Sequence, residues 1–69
     1  MAELEVTVNG EVLRMPAGAS ISDLLERLRV ATPRVAVERN REIVPKAVYR
    51  ETPLSPGDVF EVVELVGGG

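Results

Sequence analysis

Apolar and polar side chains alternate over residues 3–8, where Leu4, Val6 and Val8 are separated by Glu5 and Thr7, and the run resumes as Glu11-Val12-Leu13-Arg14-Met15 after Asn9-Gly10. Alternation of period two marks a half-buried strand, and Asn-Gly between two such runs marks a type I′ hairpin, since both central residues must take positive φ. With a two-residue loop, Val8 faces Glu11, Val6 faces Leu13 and Leu4 faces Met15, so the hairpin has one apolar face. Beyond the break at Pro16-Ala17-Gly18-Ala19 the period changes: Ile21, Leu24, Leu25 and Leu28 recur at helical spacing. Ser20 stands as N-cap and Asp23 at the capping-box position, which predicts a helix of about ten residues ending near Val30, with Thr32-Pro33 as the stop. Val35-Ala36-Val37-Glu38 and Ile43-Val44 then read as a strand and its return. Pro45 has no amide to donate and restricts that return to a short or edge strand. Residues 46–54 have no clear period, and Val48, Tyr49 and Leu54 are expected to cover the end of the core. Ser55-Pro56-Gly57-Asp58 has the residues of a type II turn, and Val59–Val66 forms the final strand.

Each element has one apolar face, so a single helix must cross one face of a mixed four- or five-stranded sheet, an α+β arrangement. In the final strand Phe60 and Val62 are assigned inward, because Phe60 is the chain's one phenylalanine and its largest apolar side chain. Val63 and Leu65 then face outward as exposed aliphatics, the mark of a docking surface. A bulge that swaps the faces, or cover from residues 46–54, is the alternative.

Composition narrows the chemistry. The 69 residues hold no Cys, His or Trp, which removes disulfides, thiolate nucleophiles, imidazole bases and the usual zinc ligands. A chain this short, 45% apolar and unstapled, needs a regular aliphatic core. No apolar run approaches the ~20 residues of a membrane span, and no signal-peptide pattern is seen, so a soluble cytoplasmic protein is expected. The net charge of −3 and the scarcity of aromatics argue against nucleic acid as partner. Charge is also segregated. Residues 1–26 and 51–69 are acidic, whereas Arg27, Arg29, Arg34, Arg39, Arg41, Lys46 and Arg50 make the middle basic. If the first and last strands are neighbours, the fold has an acidic side.

The chain closes on Gly67-Gly68-Gly69. Three glycines bury nothing, but without Cβ atoms they can thread a narrow channel and carry the terminal carboxylate away from the folded body. With an ordinary pKa of about 3.5 that carboxylate is an anion at neutral pH, able to attack an activated phosphate. Gly69 is therefore the candidate reactive residue, Gly67 and Gly68 its tail, and Val63 and Leu65 the candidate partner-binding residues.

Throughout its length the chain resembles the ubiquitin-like, β-grasp sulfur carrier proteins, most closely those of thiamine biosynthesis. The matching stretches are VTVNGE in the hairpin, PAGASISDLLERL into the helix, VAVERNREIVP after it, TPLSPGDVFEVV entering the last strand, and the terminal VGGG. Arg41, where the family often has Gly after Asn40, departs from the pattern and suggests a different turn. The resemblance implies a β-grasp domain over residues 1–66 with a flexible tail at 67–69, and a carrier rather than an enzyme. It implies that a ubiquitin-activating-enzyme-like adenylyltransferase uses ATP to adenylate Gly69, and that the carrier binds no cofactor itself. A persulfide donor would then form a thiocarboxylate, from which thiazole synthase takes sulfur. The small subunit of molybdopterin synthase, a ubiquitin-like protein modifier and a plain β-grasp binding module are the alternatives.

Overall fold

In a computed structural model that describes residues 2–30 and 33–65, Glu3–Val8 (β1) and Glu11–Pro16 (β2) form the expected hairpin, in the expected register. Asn9 and Gly10 have φ of 49° and 86°, as a type I′ turn requires. Leu4, Val6, Val8 and Met15 are buried on one face, with Leu13 half-buried beside them.

The helix, Ile21–Arg27 (α1), is shorter than its apolar spacing predicts. Arg29 takes φ of 59°, its N–H donates to Glu26 O, and the N–H of Val30 reaches back to Leu25 O. This pair of bonds is a Schellman motif with Arg in the position that usually holds Gly. Leu28 and Val30 pack against the core from the cap and not from the helix. Thr32 lies outside the described residues. At the other end the orphan donors of the first turn are satisfied, Ile21 N–H by Thr52 O, Ser22 N–H by Tyr49 O and Asp23 N–H by Ser20 Oγ, and Leu24 N–H makes the first intrahelical bond, to Ser20 O. Asp23 completes the capping box by accepting the Ser20 N–H at 2.8 Å.

Val35–Arg39 (β3) and Glu42–Ile43 (β4) follow, and β4 is the short edge strand that Pro45 requires. The loop between them is tighter than the sequence pattern suggests. Arg39 pairs with Glu42, leaving only Asn40 and Arg41, with φ of 51° and 72°. Arg41 therefore does not change the turn. It adopts the left-handed conformation that a Gly would take there, at a steric cost that Gly avoids. Lys46–Val48 form a 3-10 turn, after which Tyr49 and Leu54 are buried and Val48 is half-buried. Burial pushes the Tyr49 phenol up from its usual range, and a hydrogen bond with the Val37 backbone partly offsets this. The 55–58 turn is closed by Asp58 N–H to Ser55 O, with Gly57 at φ of 82°.

Val59–Glu64 (β5) completes a five-stranded sheet of order β2-β1-β5-β3-β4. β5 lies in the centre, parallel to β1 and antiparallel to β3. Ile21 and Leu24 of the helix join Val6, Val37 and Phe60 in the fully buried core on one face. The mixed sheet with one helix across it is the β-grasp arrangement, and no helix among the described residues is long and apolar enough to cross a membrane.

Candidate functional site

The final strand leaves the sheet from its middle. Phe60 and Val62 point into the core, as the sequence assigns them, and Val59, Glu61 and Val63 point to the open face. Val63 is 53% exposed and Leu65 54%. Val63 lies opposite Ala36, and the Leu65 N–H donates to Arg34 O at 2.8 Å, so β3 accompanies the chain to the last described residue. Val66 and the candidate tail, Gly67, Gly68 and Gly69, lie outside the described residues.

Two asparagines that sequence reasoning treats only as turn formers hold this strand. β1 pairs with β5 at just Thr7↔Val59 and Val8↔Phe60 before it turns away. At that point the Asn9 N–H donates to Phe60 O at 2.9 Å. Its carboxamide then takes both backbone groups of Val62, Oδ1 accepting the N–H at 2.9 Å and Nδ2 donating to the carbonyl at 3.0 Å. The side chain replaces the peptide group that a longer β1 would supply. From the other side Asn40 does the same for the start of the strand: its N–H donates to Val59 O at 2.8 Å and its Oδ1 accepts the Val59 N–H at 3.0 Å. The one available signal is that each two-residue turn opens with Asn.

Asp58, read as a turn residue, is 6% exposed. Its carboxylate accepts the Ser55 N–H and the Arg39 guanidinium, both at 2.8 Å, and the Asn40 Nδ2–H at 3.2 Å. Arg39 also donates to Ser55 Oγ. A buried carboxylate is tolerated only with such partners. Among the described residues no buried side-chain polar atom lacks one.

The open face is acidic on balance, though its membership differs from the reading of charge along the chain. Glu5 and Glu61 share it with the apolar Val12, Val59 and Val63, and Arg14 lies opposite Glu5 and pairs with it at 3.5 Å. Glu38, from the basic middle, lies directly opposite Glu61, whereas Asp58 is withdrawn into its ion pair. Like charges opposed across strands repel, and the open face combines them with exposed aliphatics.

A chain whose last strand runs up the centre of the sheet toward a glycine terminus has relatives of known kind. A family model, the ThiS family, matches residues 2–69. The chain is 46% identical over 50 residues to the sulfur carrier protein ThiS of Bacillus subtilis, covering 72% of this chain and 76% of that one. It is also 41% identical over 66 residues to a thiazole synthase of Paramagnetospirillum magneticum, covering 96% of this chain but only 20% of that relative. A thiazole synthase of Magnetococcus marinus matches in the same way, so the chain spans about a fifth of the length of these two relatives. The crystal structure of the thiamine biosynthesis protein (ThiS) of Geobacter metallireducens superposes with a TM-score of 0.79 at 30% identity, covering 96% of this chain and all of that one. Fold, sequence and a match that includes the three terminal glycines agree, and the chain belongs to the ThiS family.

Proposed function

We propose that the chain is a sulfur carrier for thiazole formation in thiamine biosynthesis and acts through the carboxylate of Gly69. The observation that carries this reading is the family match, which runs through residue 69. The Gly69 carboxylate attacks the α-phosphate of ATP on an adenylyltransferase, and pyrophosphate leaves. The terminal sulfur of a persulfide attacks the resulting acyl adenylate and AMP leaves. A second thiol then cleaves the sulfur–sulfur bond, and the thiocarboxylate remains on the carrier. ATP is the partner's substrate, and the β-grasp body of residues 1–66 supplies recognition while residues 67–69 supply reach. Thiazole synthase is the sulfur acceptor. Two relatives bearing that name contain a region similar to 96% of this chain, which supports carrier and acceptor working as a pair. Val63 and Leu65, exposed beside the acidic face, dock the activating enzyme.

Pyrophosphate exchange tests both parts of this reading. Removal of Gly68 and Gly69 abolishes exchange while the melting temperature stays within error, and Val63→Asp or Leu65→Asp weakens docking by about 1–3 kcal/mol in a chain that remains folded. Exchange that survives the truncation contradicts the assignment to Gly69. Unaltered affinity in both aspartate variants contradicts the docking assignment.

A further inference from the structure

We infer that Asn9 is a positioning residue whose carboxamide fixes the end of β5, and with it the way Val63 and Leu65 are presented, for the activating partner. The inference rests on the carrier reading above and adds a role for a residue 53 positions away from Val62 in sequence. Any residue that tolerates positive φ, Gly among them, would serve the turn. Asn adds two hydrogen bonds to one residue of the outgoing strand, one to its N–H and one to its C=O. Val62 immediately precedes Val63 and lies three residues before Leu65. Among the described residues it is the furthest point along β5 that the first hairpin holds.

The two sides of the strand are unequal there. On the β3 side the ladder continues through Val63↔Ala36 and Glu64↔Val35 to the Leu65 N–H, so the fold does not depend on Asn9. On the β1 side, backbone pairing ends at Phe60 and the carboxamide carries the tie forward by two residues. A strand end held along one edge can swing about that edge, whereas one held along both edges at Val62 has less freedom to do so. If only a fraction of molecules presents the correct direction, the apparent affinity of the partner falls by that fraction while turnover of the bound complex does not. Asn40 makes the same kind of contact at Val59, where β5 begins, and provides the internal control.

The test uses the full-length chain with Asn9→Gly, which keeps the turn, Asn9→Asp, which keeps an acceptor for the Val62 N–H but loses the donor to its carbonyl, and Asn40→Gly. Amide hydrogen exchange in the free protein is expected to be at least tenfold faster at Val62 in Asn9→Gly, with the β1–β2 amides unchanged and a smaller effect in Asn9→Asp. In ATP–pyrophosphate exchange with the adenylyltransferase, the KM for the carrier rises roughly five- to tenfold in both Asn9 variants at constant kcat. Asn40→Gly lowers the melting temperature but keeps KM within about twofold. Unchanged exchange at Val62, an unchanged KM, or an equal rise in Asn40→Gly overturns the inference. A wild-type chain that the adenylyltransferase does not activate overturns the carrier reading instead, and the exchange data are independent of that result.

Discussion

The two hairpin turns of this small sheet have the same backbone and different chemistry. Asn9-Gly10 and Asn40-Arg41 are both two-residue loops with positive φ at both positions, and both asparagines bond to the central strand. The first turn uses Gly where the left-handed region favours it, whereas the second forces Arg41 into φ of 72°. The second also has what the first lacks, a buried carboxylate that braces it: Asp58 holds both Arg39 and Asn40. One turn is therefore stable by local preference and the other by tertiary contacts, so a turn type need not be written in its own two residues.

Breaking the brace should have the largest effect. Asp58→Ala leaves the half-buried Arg39 without its carboxylate and removes the acceptors for Asn40 and the Ser55 N–H, so chemical denaturation is expected to show a loss of about 2–4 kcal/mol. A loss below about 1 kcal/mol would mean that the second turn stands without Asp58. Next comes Gly10→Ala, for which no neighbouring atom lies within 4 Å of the added Cβ. Its cost is then backbone alone, about 1–2 kcal/mol, read from the same denaturation curves. Smallest, and opposite in sign, is Arg41→Gly. Relief at φ of 72° outweighs the entropy that Gly adds to the unfolded chain, for a gain of roughly 0.5 kcal/mol. Destabilisation by this substitution would show that the Arg41 side chain makes a contribution of its own.

These pairs also mark what sequence could and could not tell. The first hairpin, its register, the capping box and the inward assignment of Phe60 and Val62 were legible because each follows from local pattern: alternation, a cap residue, or the side-chain period of a strand. The end of the helix was not, since the spacing of Leu25, Leu28 and Val30 fits both a longer helix and a Schellman turn, and only the φ of Arg29 separates them. Arg41 misled for the same reason, a non-glycine residue held at positive φ by its surroundings. The roles of Asn9, Asn40 and Asp58 are long-range side-chain bonds to β5 and its approach, and no local period encodes these. Strand alternation predicts that Val63 and Leu65 face outward, and both are about half exposed.

Whether the Gly69 carboxylate carries sulfur can be read from a single mass measurement. Purified full-length chain is incubated with the adenylyltransferase, ATP, a persulfide donor and a thiol reductant, then digested and weighed peptide by peptide. The C-terminal peptide alone is expected to gain the mass difference of sulfur over oxygen and to return to its original mass when thiazole synthase and its substrates are added. An unchanged C-terminal peptide under conditions where AMP is released, or recovery of Gly69 in amide linkage to lysines of other proteins with no thiocarboxylate form, would contradict the claim.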